Sequence, residues 1–186
     1  MFREPISPVY KARGENAVDE DAVVIGFEHN GEAKAYPVRF IVYHHQVQDV
    51  VGGRPVMVTY CSVCRTGRVY DPVLHGQPEK FRLVGMDHFN AMFEDATTGS
   101  WWRQVSGEAV TGKLKGTQLA VLPFTQVTLK RWFRAASGSR RAAGRRDRSL
   151  ELRCHRPIRA RGESGRTHAH RPAILGGEIL GAGRRG

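Results

Sequence analysis

Apolar residues recur along this chain in short runs, often at a spacing of two, broken by glycine, proline and asparagine. That pattern predicts strands and tight turns rather than long helices. Residues 22–27 are apolar and β-branched, Asn30-Gly31 offers two residues that tolerate positive φ, and residues 33–38 return, which predicts a hairpin. Pro37 ends the return strand or leaves it at an edge, because proline donates no ladder hydrogen bond. Residues 39–45 read either as one helical turn or as another strand, and residues 46–51 and 54–60 pair across Gly52-Gly53. Val56, Val58 and Tyr60 alternate with Met57 and Thr59 up to Cys61-Ser62-Val63-Cys64, and Val69-Tyr70 lead out, so two thiols three apart sit on a turn between strands.

Further short strands are expected over residues 81–86, 91–94 and 101–105, with 95–100 as the hairpin turn between the last two. Residues 107–122 read as closing strands and loops, and Thr128 caps a helix over 128–133 whose Trp132 packs back. Residues 1–21 read as an irregular lead-in. The expected fold is a mostly β domain over residues 22–133, with α+β as the variant, built as an antiparallel sheet or barrel-like set of short strands and hairpins.

Composition changes this picture mainly at the C-terminal end. The chain has 186 residues, 40% of them hydrophobic, enough for one domain with a sizeable core. Its net charge of +11 would point to nucleic acid, but residues 1–130 hold 14 Lys and Arg against 14 Asp and Glu, and residues 131–186 hold 15 against 4. No nucleic-acid partner is therefore expected for the body, and the tail alone could hold anions non-specifically. The tail uses 15 arginines and no lysine and shows no hydrophobic period, so residues 134–186 are expected to be disordered. Arginine, glycine, alanine and proline are also what GC-rich codons yield out of frame, so a frameshift is a second reading of the same stretch. No apolar run reaches 18 residues and the first residues lack a signal-peptide layout, so no transmembrane segment is expected and the chain reads as soluble and unexported.

Three cysteines, Cys61, Cys64 and Cys154, exclude a disulfide-stapled scaffold and leave the CxxC pair to be judged alone. Two thiolates on a rigid turn suit a zinc or copper ion, with His44 as the first candidate for a third ligand and His88 or His45 next. They equally suit a redox dithiol, although a thioredoxin-type pair opens a helix and this one lies between strands. A plain structural turn in a binding or interaction module is the third alternative. Met86, Asp87, His88, Asn90 and Met92 form a polar and thioether cluster that a copper site could use, or that simply fills an irregular core. Trp101 and Trp102 face opposite sides of a strand, one for the core and one partly exposed. No G-x-S-x-G and no P-loop occurs, so no reaction is assigned.

Four stretches together carry a family resemblance: Ala35-Tyr36-Pro37-Val38; residues 44–56 from His44-His45 through Gly52-Gly53-Arg54-Pro55-Val56; Thr59-Tyr60-Cys61-Ser62-Val63-Cys64-Arg65-Thr66-Gly67; and Thr98-Gly99-Ser100-Trp101-Trp102-Arg103-Gln104 with Gly107-Glu108-Ala109-Val110. In these the chain resembles the bacterial family known as domain of unknown function 3179, over about residues 20–133. The family pattern reads C-P-L-C-G-T-G at the turn, so Ser62 and Arg65 replace a proline and a glycine. His45 and Gln48 also depart from its histidine-glutamate pattern. The resemblance implies architecture rather than chemistry. It further implies an exported or membrane-anchored parent whose N-terminal signal is missing here.

Overall fold

The computed structural model describes residues 8–138 and 146–151. It opens on β1 (Val9–Ala12) and a 3-10 turn (Arg13–Glu15), then β2 (Val23–His29) and β3 (Glu32–Pro37) form the expected hairpin. Asn30 (φ 45°) and Gly31 (φ 74°) both take the left-handed conformation the tight turn needs. Pro37, with φ −60°, ends β3 and starts α1 (Val38–His44), the helical alternative of the two open at the sequence level; His45 closes the helix in the left-handed region at φ 62°.

Next come β4 (Gln46–Val51), β5 (Arg54–Cys61) and β6 (Thr66–Tyr70), a three-stranded antiparallel sheet with β5 in the middle. A small ribbon, β7 (Val73–Leu74) with β8 (Gln77–Pro78), leads to β9 (Phe81–Asp87), β10 (Asn90–Asp95), β11 (Trp101–Arg103) and β12 (Ala109–Thr111), which form a four-stranded sheet in the order β12-β11-β10-β9. β13 (Thr125–Thr128), α2 (Leu129–Gly138) and β14 (Arg146–Glu151) complete the elements. The largest sheet runs β1-β14-β3-β2-β13, antiparallel except where β14 lies parallel to β3. The fold is thus mostly antiparallel β, and among the described residues the strands make four sheets. No described helix is long and apolar enough to cross a membrane.

Two ends differ from expectation. The lead-in contains a strand, β1, which pairs antiparallel with β14; on it the Tyr10 hydroxyl donates to Asp49 and the Lys34 ammonium lies 4.4 Å over its ring. Asp49 also accepts from the Tyr36 hydroxyl at 2.8 Å and from Lys34 Nζ at 3.1 Å. Regular structure also continues past Phe133, with α2 running to Gly138 and β14 inserted between β1 and β3. The rest of the expected disordered tail, residues 139–145 and 152–186, lies outside the described residues.

The core follows from alternation along β5, which is buried on both faces. Val56, Val58 and Tyr60 join Ile25, Tyr36, Ile41 and Val47 in one cluster; Met57 and Cys61 join Tyr70, Phe81, Phe93 and Trp102 in another. A third cluster packs Leu129, Trp132 and Phe133 of α2 on Val24, Ala33 and Ala35. The two N-terminal hairpins are clasped together at their turns. Asn30 Nδ2 donates to the Gly52 carbonyl at 3.0 Å, and the Gly52 N–H donates to Glu32 Oε2 at 2.7 Å. Gly52 has φ 54°, and a Cβ there would sit 2.2 Å from the His29 carbonyl oxygen, so only glycine fits.

Gly26 is bare for a related reason, since a Cβ would fall 2.3 Å from the Trp132 ring. Gly26→Ala should therefore destabilise the protein by about 1–3 kcal/mol, the usual cost of overpacking. In a Trp132→Ala background the same change should cost much less; equal losses by denaturant titration in both backgrounds would show that the ring is not what excludes the methyl group. Asp95 gives a pH-dependent case. Burial opposes its charge, but the Trp102 indole N–H at 2.9 Å, the Thr98 N–H and hydroxyl, and the Ser100 N–H override this and hold its carboxyl below the usual range. A depressed carboxyl stabilises the fold above its unfolded-state value of about 3.9, and that stability is lost as pH falls through the lower folded value. Asp95→Asn should cost about 2 kcal/mol at neutral pH. The gap to wild type should close in strong acid, and a gap independent of pH would rule out the ionised carboxylate as its source.

Candidate functional site

Antiparallel pairing of Cys61 with Thr66 leaves residues 62–65 to turn the chain between β5 and β6. The turn puts Arg65 at φ 52°, the left-handed region in which glycine carries no penalty. Cys61, at the buried end of β5, and Cys64, half-buried in the turn, place their sulfurs 3.3 Å apart. Both are free thiols. The turn between β9 and β10 lies over them, with the Phe89 carbonyl oxygen 2.7 Å from Cys64 Sγ and 3.4 Å from Cys61 Sγ. Asn90 Nδ2 approaches Cys64 Sγ at 3.5 Å from the start of β10.

These neighbours separate the two thiols electrostatically. Burial alone would raise the Cys61 pKa, but donors converge on its sulfur: the Cys64 N–H, the Cys64 thiol, and the N–H groups of Ala91 and Val63. Together they hold Cys61 below an ordinary thiol, the role a helix N-terminus plays elsewhere. On Cys64 the Asn90 amide acts downward, but Cys61, through its hydrogen bond and its charge, and burial outweigh it and the pKa lies above normal. The Phe89 carbonyl, an acceptor only, also favours a proton on Cys64. Of the pair, Cys61 is therefore the more acidic thiol and Cys64 the one that holds its proton longer.

Cys61 faces a cavity of about 860 Å³. Its walls include His44 and His45 from the end of α1, Ser62 and Val63 from the turn, and the run from Arg82 to Met86 along β9. Exposed apolar side chains stand around it: Val63 and Met86 are each 55% exposed and Trp101 45%. Trp102, its neighbour on the opposite face, is buried against Phe81. The two tryptophans therefore divide as their alternation predicts. The Arg82 guanidinium pairs with Glu94 at the wall. Burial lowers the His45 pKa and favours the neutral imidazole, partly offset by its hydrogen bond to the Tyr60 backbone.

Of the residues singled out as metal ligands, the structure brings Cys61 and Cys64 together and places His44 with Cys61 on one cavity wall. His88 sits in the β9–β10 turn at φ 54° with 87% of its side chain exposed, its Nδ1 2.7 Å from Asp87 Oδ1. Among the described residues no group of three His, Cys, Asp or Glu side chains is placed to share a metal ion. Met92 is buried in β10, and Met86 is exposed at the cavity. Residue types and spacing could not reveal two features of the site. The Phe89 carbonyl belongs to the backbone, and Gln104, buried behind Asn90, reaches the thiols only through tertiary contacts.

Arg65 yields a test of the turn itself. A left-handed conformation costs a residue with a Cβ about 1–2 kcal/mol, part of which glycine returns as extra backbone entropy in the unfolded chain. Arg65→Gly should therefore raise the melting temperature by about 2–4 °C. A lower melting temperature would mean that the Arg65 side chain stabilises the turn by more than its backbone strain costs.

A family model described as "Protein of unknown function (DUF3179)" matches residues 6–140. No curated protein and no solved structure matches the chain.

Proposed function

The chain belongs to the DUF3179 family of proteins of unknown function, and from that premise we propose that Cys61 and Cys64 form a thiol–disulfide exchange centre opening on the cavity beside β9. The observation that carries this reading is the sulfur pair 3.3 Å apart, with the more acidic thiol of the two on the cavity wall. A thiolate is the nucleophile in disulfide exchange, and an i, i+3 pair in a turn is within reach of ring closure.

The chemistry runs in two displacements. The Cys61 thiolate attacks one sulfur of a substrate disulfide R–S–S–R′, forming a Cys61–S–S–R bond and releasing R′–S⁻. Cys64 gives up its proton, to the departing thiolate or to solvent, and its sulfur attacks Cys61 Sγ, closing the Cys61–Cys64 disulfide and releasing R–S⁻. Two electrons pass from the dithiol to the substrate. The apolar rim of Val63, Met86 and Trp101 favours a substrate with apolar groups flanking its disulfide.

A second reading is a zinc or copper ion on Cys61 and Cys64. Its specific support is the Phe89 carbonyl oxygen, which sits near both sulfurs, with His44 on the cavity wall as a further donor and His88 one residue before Phe89. One set of measurements separates the two readings. In the full chain with Cys154→Ser, a glutathione disulfide buffer should close Cys61 and Cys64 reversibly, so that both become inaccessible to maleimide by mass spectrometry until dithiothreitol is added. Cys64→Ser should instead stop at a glutathione adduct on Cys61. Two thiols that stay alkylatable under oxidant would overturn the exchange reading; stoichiometric zinc or copper lost on Cys61→Ser would then establish the metal reading.

A further inference from the structure

The contact between Asn90 and Cys64 has no part in the first displacement, and the structure builds it with some care. Asn90, 8% exposed, accepts the Val105 N–H on its Oδ1 at 3.0 Å, so its Nδ2 is left to face the sulfur at 3.5 Å and Gln104 Oε1 at 3.2 Å. Gln104 is 1% exposed, and its own Nε2 donates to Thr59 Oγ1 and to the Thr66 carbonyl, each at 3.0 Å, so its Oε1 must face Asn90. Its backbone is also held: the N–H donates to the Ala91 carbonyl at 2.9 Å and the carbonyl accepts the Tyr70 hydroxyl at 2.7 Å. Two interlocked carboxamides therefore point one N–H donor at Cys64, and neither can flip without losing a buried hydrogen bond.

We infer that the Asn90 carboxamide, aimed by Gln104, is the group that lets Cys64 ionise once Cys61 is bonded to substrate, and so drives the resolving step. This rests on the exchange reading above. While Cys61 is a thiolate, a second thiolate 3.3 Å away is excluded by repulsion, and the proton stays on Cys64. In the mixed disulfide Cys61 carries no charge. The Phe89 carbonyl still faces Cys64 and disfavours its thiolate, so ionisation needs a donor of its own. An N–H bond to an anionic sulfur is stronger than one to a neutral thiol, so the amide favours the thiolate. Among the described residues, Cys61 is the charged group that acts on the Cys64 sulfur. Asp87 and His88 in the overlying turn are engaged with each other, and Asp87 also with Arg103. Asn90 touches the reacting sulfur; Gln104 acts through Asn90 as a positioning residue.

The test isolates Cys64 in the full chain carrying Cys61→Ser and Cys154→Ser, which imitates the uncharged Cys61 of the mixed disulfide. The pH dependence of iodoacetamide alkylation and of thiolate ultraviolet absorbance gives the Cys64 midpoint. Asn90→Ala should raise it by about one pH unit, an alkylation rate about ten-fold lower on the acid limb. Asn90→Asp, which keeps the shape and replaces the donor by an anion, should raise it further. Gln104→Ala should move it in the same direction by less. A structural role for Asn90 would lower the melting temperature and leave the midpoint in place. An unchanged midpoint in both Asn90 variants overturns the inference. Failure of the exchange reading would appear elsewhere, as a wild-type pair that does not close under glutathione disulfide.

Discussion

One buried carboxamide joins the sheets that make the site. Gln104, just past β11, reaches Thr59 on β5, Thr66 on β6 and Asn90 on β10 with a single side chain, so the three-stranded and four-stranded sheets meet in fixed register behind the thiols. A buried amide has four hydrogen-bonding positions to satisfy and is costly if any is left empty, which is why one residue can impose so much geometry. Everything nearer the sulfurs inherits its placement from this seam. The Asn90 amide and the Ala91 N–H lie on the first residues of β10, and the Phe89 carbonyl immediately precedes them.

The result is a division of labour between backbone and side chains. Backbone N–H groups of the turn gather on Cys61, a backbone carbonyl faces Cys64, and one side-chain amide opposes that carbonyl. The pair lies between two strands rather than at the start of a helix, and the turn supplies the oriented dipoles that a helix end would provide. A strand-borne CxxC motif can therefore distinguish its two thiols, and the strain at Arg65 is what the turn costs in doing so.

Local signals in the sequence were legible wherever the chemistry was local. Asn30-Gly31 and Gly52-Gly53 set their hairpins through φ alone, Pro37 ended its strand, and the alternation around Met57 and Thr59 delivered both cysteines to one turn. The sequence says less where a distant partner decides. The apparently irregular lead-in holds a strand that pairs with β14, and its Tyr10 hydroxyl bonds Asp49, 39 residues away. His88, a candidate ligand by type, stands at a left-handed turn position with its ring exposed, and the carbonyl of the next residue faces the sulfurs. Gln104 appeared only as part of a family stretch; nothing local marks it as the anchor of the site.

The clasp between the two N-terminal turns bears on how this molecule opens. Each hairpin is a local structure, formed with little loop entropy, and alone each would fray from its turn independently. Because Asn30 and Glu32 of one turn bond the Gly52 backbone of the other, fraying either turn first breaks a contact that belongs to both. The two turns are therefore expected to exchange their amide hydrogens as one cooperative unit, a single foldon rather than two.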